Sequence, residues 1–304
     1  MRFRNLLAVL GAMSLCMALP PDASAAQGAI EVIDDAGETI RLARPARRIV
    51  SLAPHVTEQL FAVGAGARIV GAVAYSDYPP EARRIPRVGD NRAIDIERVL
   101  AMKPDLIVAW FHGNVGRQID QVRSLGLPVY YSQPRTIDDI ARGLEHMGTL
   151  AGSEKIAAGA ARGFRERVRS LRERYGNREP VSVFYEIWNR PLYTVNGEHL
   201  ISDVIRLCGG TNVFAGLRVL APTVTQEAVL KADPVAIIAS GMAAGARPEW
   251  LDDWKAWPDL QAAKLDNLFS VDPDLINRHG PRIVEAARQV CEMIDLARTR
   301  KFRR

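Results

Sequence analysis

Two Rossmann-like α/β lobes joined by a single long rigid helix are what this sequence predicts. Three observations carry the prediction. Short β-branched runs alternate with helical stretches along most of the chain, which implies parallel sheets covered by helices on both faces. Residues 153–175 hold an unbroken apolar stripe at helical spacing. A helix–proline–strand unit occurs twice, at a constant offset of 130 residues.

Residues 1–25 read as a secretory signal peptide. Arg2 and Arg4 supply the positive start, 6–19 is apolar and uncharged, and Ala23-Ser24-Ala25 is a small-residue site for cleavage near Ala25. The apolar run is too short for a membrane span. Leu15 precedes Cys16 where a lipoprotein signal wants a small residue, so Cys16 is read as part of the signal. The mature protein is expected to be exported.

Within 26–46, residues 30–33 and 39–42 form a hairpin turning at Asp35-Ala36-Gly37. The N-terminal lobe, 47–152, carries strands at 48–52, 69–73, 106–109 and 129–131. Its helices are at 57–63, 94–102 and 115–124, stopped by Gly64, Gly66 and Pro104. The linker helix, 153–176, has Ser153 as N-cap and Ile156, Ala160, Phe164, Val168, Leu171 and Tyr175 as its stripe. At 1.5 Å per residue it makes a rod of about 35 Å. The C-terminal lobe, 177–304, carries strands at 181–187, 192–195 and 235–239. Helices follow at 200–207 and 227–232, with a last one at 281–297 that has Pro281 in its first turn. Arg298, Arg300, Lys301, Arg303 and Arg304 read as a solvated, frayed end.

The chain has 304 residues, 48% hydrophobic and 25% charged, with a net charge of +5. Such a composition supports a full-sized core and excludes a disordered chain. The mild basic excess excludes a dedicated nucleic-acid face. Phosphate-loop, zinc-protease and serine-hydrolase motifs are missing, and the five histidines show no metal-ligand spacing. We therefore expect no catalytic set, no metal and no cofactor. His55 and His112 stand out because both follow predicted strand ends, where ligands gather in open parallel sheets. Rings cluster there too: Tyr75, Tyr78, Trp110, Phe111 and Trp188 suit a cleft for a large flat ligand. Trp250, Trp254 and Trp257, at helical spacing, read as core. Removing the signal leaves Cys208 and Cys291, which in an oxidising compartment form one bridge or stay as two buried thiols.

In the repeat, 94–109 matches 224–239, and Glu97 and Glu227 occupy one equivalent place. They serve either as helix-start residues or as paired acidic studs for a two-fold partner. Here the residues carry a specific resemblance. The stretches Arg48-Ile49-Val50-Ser51-Leu52-Ala53-Pro54 with Thr57-Glu58, Tyr75-Ser76-Asp77-Tyr78-Pro79-Pro80 and Lys103-Pro104-Asp105-Leu106-Ile107-Val108-Ala109-Trp110 resemble one family. Gly113-Asn114, 208–214 and Pro281-Arg282 leading to Cys291 continue the match. The family is that of the periplasmic substrate-binding proteins of ABC importers for iron-siderophores, haem and cobalamin, the class III or helical-backbone metal receptors. The cobalamin-binding members are the most similar.

The resemblance implies a monomeric, non-enzymatic receptor with cobalamin as ligand. Tyr75, Trp110, Tyr193 and the segment Asp274-Leu275-Ile276-Asn277-Arg278 would contact the corrin. Glu97 and Glu227 would dock onto a permease dimer that works with its ATPase subunits, and Cys208 and Cys291 would form a disulfide. Asn91, Ala221 and Leu275 stand where the resemblance leads one to expect Trp, which keeps haem and ferric siderophores open as ligands. A two-lobed cofactor-carrying enzyme and a surface sensor are the other classes. The lack of a Cys or His cluster speaks against the first, and the paired Glu against the second.

Overall fold

A computed structural model describes residues 29–114, 116–241 and 246–303. The signal segment with Cys16, and Arg304, lie outside the described residues.

The chain opens with the hairpin β1 (Ile30–Ile33) and β2 (Thr39–Leu42). It then builds β3 (Ile49–Ser51), α1 (Pro54–Ala62), β4 (Ile69–Ala72), α2 (Ile96–Ala101), β5 (Leu106–Trp110), α3 (Gly116–Ser124) and β6 (Val129–Ser132). Two helices follow, α4 (Ile137–Ala151) and α5 (Glu154–Tyr175). The second half runs β7 (Val181–Glu186), β8 (Trp188–Asn189), β9 (Leu192–Tyr193), α6 (Leu200–Leu207), β10 (Gly210–Asn212), α7 (Gln226–Ala232) and β11 (Ala236–Ala239). It closes with α8 (Gln261–Lys264), β12 (Leu268–Ser270), α9 (Pro273–Ile276) and α10 (Ile283–Phe302). The two main sheets are parallel, with strand orders β4-β3-β5-β6 and β10-β7-β11-β12. They share one topology, so the repeat read in the sequence is a repeat of architecture.

The correspondence extends to single residues. Asp95 caps α2 by accepting from the Arg98 N–H at 2.9 Å, and Thr225 caps α7 by accepting from the Ala228 N–H at 3.2 Å. Lys103 (φ +47°) and Asp233 (φ +41°) both turn left-handed before the proline that leads into the strand. Ile94, expected inside the first helix, instead bridges to Gly89, because the Asp95 side chain starts the helix after it.

The crossing between the sheets differs from a lone rod. Helix α4, which the sequence reading passed over, packs along α5. It starts in a capping box made by Thr136 and Asp139 and ends at left-handed Gly152. The two helices approach so closely that a Cβ on Gly148 would sit 2.2 Å from the Ala157 Cβ. The buried stripe of α5 is Ala157, Ala161, Phe164, Val168 and Tyr175; Ile156 is exposed. Ser153 precedes α5 but makes no capping bond, and its hydroxyl is buried without a partner among the described residues. One continuous cluster of buried side chains runs from β3 and α1 through α4 and α5 to β7, α6 and α10. The outer face of each sheet has its own smaller core.

Several other expectations are corrected. Residues 192–195 do not join the parallel sheet, since β9 pairs with β8 in a short hairpin. Helix α10 begins after Pro281 and runs on to Phe302. Arg298 is buried, donating to the Glu179 carbonyl at 2.6 Å and to Asp295 at 2.6 Å. The tail is therefore a packed helix up to that point. Of these three tryptophans, Trp254 is core and Trp250 half-buried, both on a 3₁₀ segment, Glu249–Ala256, and Trp257, which follows it, is exposed. Cys208, at the end of α6, is bonded to Cys291 in α10. Closing that 83-residue separation is worth about 4 kcal/mol on the loop-entropy account.

Candidate functional site

The lobes meet around one carboxylate. Pro54 starts α1 directly after β3, and this places Glu58 in the second turn facing the C-terminal lobe, 4% exposed. Arg282 donates to it twice, Nε to Oε2 at 3.0 Å and Nη2 to Oε1 at 2.6 Å. Arg278 reaches the same carboxylate at 3.4 Å. It also donates to Asp77 at 2.6 Å and to Asp274 at 2.9 Å. The Arg282 guanidinium lies 3.9 Å from the centre of the Tyr78 ring. Two arginines of the C-terminal lobe thus meet two acids and a ring of the N-terminal lobe. Burial alone would raise the Asp77 pKa, but the hydrogen bond and charge of Arg278 outweigh it and hold the carboxyl below its ordinary value. Planar forks paired with carboxylates fix direction as well as charge. Removing one partner of a buried pair costs about 3–5 kcal/mol, because the other is stranded.

Beside this clamp lies a group of rings. His55 in α1, Trp110 at the end of β5 and His279 sit with centroids 5.5, 5.6 and 6.1 Å apart. His199, the N-cap of α6, is 5.3 Å from His279. Burial pushes His55 down to about 3 and His199 to about 4, and burial, with His199 and His55 beside it, holds His279 well below its ordinary value. All three are therefore neutral at pH 7. His279 Nδ1 and Trp110 Nε1 are buried and find no hydrogen-bond partner among the described residues. His112, by contrast, is exposed on the surface.

The expected ligand residues divide into three groups. Tyr75 follows β4 with its ring 73% exposed, on a left-handed backbone (φ +63°) that a non-glycine residue adopts only under constraint. Trp110 is half-buried and ends β5. Its backbone N–H donates to Asn114, whose side chain in turn donates to the Leu52 carbonyl. A Cβ on Gly113 would fall 1.8 Å from that indole, which explains the Gly-Asn pair. Tyr193 is exposed on the β8–β9 hairpin. Asp274 and Arg278 belong to the clamp, and Arg278 is only 12% exposed. Asn277 bonds Ser240 at 3.3 Å. Leu275 and Ile276 pack their side chains in the core, since α9 turns this face inward. Asn91 and Ala221 are exposed.

Glu97 and Glu227 are exposed in the first turns of α2 and α7, and neither makes an ion pair among the described residues. Both helices cover corresponding faces of their sheets, through Val99 and Val229. Among the described residues no group of His, Cys, Asp and Glu could hold a metal ion.

Sequence alone assigns no role to Glu58, Asp77 and Arg282 and reads Tyr78 as a ring of the ligand cleft, although all four lie in the stretches that carried the resemblance. An acid four residues after Pro54, in a helix that also carries Val56, Leu60 and Phe61, was the available signal.

The buried histidines dictate a pH response. Their folded-state pKa values lie below the ordinary 6.5, so between pH 6.5 and about 4 the unfolded chain binds protons that the folded chain does not. Stability is present above 6.5 and lost as pH falls. Glu186, raised to about 8 by burial, works the other way and offsets one histidine. The net loss should approach about 2–3 kcal/mol per pH unit near pH 5. Urea midpoints measured from pH 7 to 4.5 should fall steeply, and less steeply in His279→Gln. A flat profile would contradict the burial of these rings.

Comparison with known proteins places this architecture. The family described as periplasmic binding protein matches residues 49–275. The vitamin B12-binding protein of Vibrio cholerae is 39% identical over 254 residues, covering 83% of this chain and 91% of that one. Its counterpart from Yersinia pestis is also 39% identical, over 83% and 88%. The crystal structure of the periplasmic vitamin B12 binding protein BtuF of Vibrio cholerae superposes with a TM-score of 0.77 at 38% identity, covering 84% of this chain and 98% of that one. The haem-binding protein BhuT, at 22% identity and a TM-score of 0.72, shares the fold. With its paired parallel sheets, helical crossing and arginine-clamped lobes, this chain belongs to the periplasmic binding protein family.

Proposed function

We propose that the exported protein captures cobalamin between its lobes as a monomer, without catalysis, and delivers it to an ABC permease dimer served by ATPase subunits in the inner membrane. The observation that carries this reading is the similarity to vitamin B12-binding proteins across 91% of the Vibrio cholerae protein's length. The geometry supports it. Exposed or half-buried rings stand at the carboxyl ends of strands on one lobe (Tyr75, Trp110) and on the hairpin of the other (Tyr193). Large rings give a flat ligand area without much loss of side-chain freedom.

Titration of the mature protein with cyanocobalamin, followed by its visible spectrum, should give a 1:1 complex. Tyr75→Ala should weaken it by roughly tenfold, the worth of about 1.4 kcal/mol of buried ring. Retention of haem with no retention of cobalamin would overturn the ligand and keep the fold.

Docking follows from the repeat. Symmetry-related acids on symmetry-related lobes suit a two-fold partner that offers one cationic pocket per half. Glu97→Ala with Glu227→Ala should leave cobalamin affinity unchanged and abolish transport, with intermediate defects for the single changes. Normal transport would show that both residues serve only their helix starts.

A further inference from the structure

We propose that the pocket at the carboxyl end of β7 is a second binding site, separate from the cleft between the lobes, that takes a guanidinium or alkylammonium group. The pocket has a volume of about 290 Å³ and is lined by Glu186, Asp253, Trp250, Trp254, Gln226 and Arg190, among others. It lies wholly within the C-terminal lobe.

Glu186 is the last residue of β7, the strand between β10 and β11, and is 1% exposed. One oxygen accepts from the Trp254 indole N–H at 2.8 Å. No arginine or lysine forms an ion pair with Glu186 among the described residues. Arg190 pairs with Asp253 at 3.9 Å, its own side chain 84% exposed. Burial raises Glu186 to about 8, the Trp254 hydrogen bond opposes the rise, and the charge of Asp253 adds to it. A buried acid without a cation is costly unless something pairs with it.

The internal repeat shows that the sheet does not require an acid there. Ala239 of β11 lies beside Glu186, as Ile238 lies beside Tyr185. In the N-terminal lobe the equivalent of Ile238 is Val108, which lies beside Ser51, and the next residue after Ser51 is Leu52. Leu52 is fully buried on the face that carries α2, just as Glu186 sits with Trp254 on the face that carries α7. One copy of the unit thus seals this position with leucine. The other copy keeps a carboxyl, a second acid and two indoles around an open pocket, the chemistry that recognises organic cations. At neutral pH, binding would take a proton off Glu186 and leave its carboxylate paired with the cation.

Two sources could present the group: a free small amine, or a basic side chain of the membrane partner. Gln226, at the pocket, adjoins Glu227, so only the second source rests on the docking reading above.

The test uses the full mature protein with ¹⁵N-labelled indoles, with and without cobalamin. Agmatine and arginine methyl ester, titrated at pH 8.5, should shift the Trp254 indole N–H signal saturably, and urea should not. At pH 7 binding should release a proton, and the affinity should fall by roughly tenfold per pH unit below about 8. Glu186→Gln, which keeps an acceptor for Trp254, should lose at least about tenfold in affinity. Glu186→Leu, the residue of the other lobe, should fold with no lower Tm and show no shift. Both variants should bind cobalamin as the parent does. Weaker assembly of Glu186→Gln with the reconstituted permease assigns the cation to the partner, and unchanged assembly assigns it to a free amine. Absence of a saturable shift at pH 8.5, or an equal shift in Glu186→Gln, overturns the proposal.

Discussion

Glu58 sets the spacing of the two lobes. Its carboxylate is buried in α1 and faces two arginines that come from the far side of the interface. A charge so placed is tolerable only while both lobes stay where they are. Opening the interface would strand Glu58 on one side and Arg278 and Arg282 on the other. Asp77 and the Tyr78 ring add a second pair of contacts from the N-terminal lobe. The Ser-Asp-Tyr-Pro-Pro stretch thus serves two purposes at once. Tyr75 just ahead of it is presented to solvent, and Asp77 and Tyr78 hold the opposite lobe. Behind the clamp, α4 and α5 carry one apolar core from sheet to sheet. A crossing of two packed helices lacks the free dihedrals of an extended linker. Clamp and crossing together describe a cleft whose shape exists before any ligand arrives.

The repeat explains how the chain makes two lobes from one unit, and its departures show where function has been added. Caps and left-handed turns coincide at the offset of 130, and the two sheets share one strand order. What does not coincide is the chemistry at the ends of the strands. The N-terminal lobe has the buried Glu58 and His55 where its sheet meets its partner, whereas the C-terminal lobe answers with the loop that carries Arg278, His279 and Arg282. Leu52 against Glu186 is a difference of the same kind on the outer face. A common scaffold fixes the positions, and single side chains decide what each position meets.

Much of this was legible in the sequence. The hairpin at 30–33 and 39–42 follows from period-two alternation around a glycine turn, and β5 and β11 from unbroken apolar runs after a proline. The paired Glu97 and Glu227 were visible because a repeat needs no structure to be seen. Helix α4 was missed although Thr136, Asp139 and Gly152 mark both its ends. Residues 192–195 read as a strand of the lobe and the β8–β9 hairpin goes unseen, because two-residue strands carry no periodicity. Arg298 looked like a tail residue, since only the fold brings the Glu179 carbonyl to it. The clamp was illegible for the same reason: Glu58 and Arg282 lie 224 residues apart, and no local pattern pairs them. Leu275 and Ile276 were carried over with their neighbours as a segment, whereas a helix turn alternates what it shows to the cleft and to the core.

The account stands on a lobe spacing set by the protein rather than by its ligand. Spin labels at Asp120→Cys on α3 and Asp259→Cys near α8, both exposed, report that spacing while Cys208 and Cys291 remain bonded to each other. Pulsed electron paramagnetic resonance should give narrow distance distributions that differ by no more than about 1 Å between unloaded and cobalamin-saturated protein. In Glu58→Gln the unloaded distribution should broaden. A shift of several Å on loading in the parent protein, or an unchanged distribution in the variant, would contradict the clamp as the element that holds the lobes.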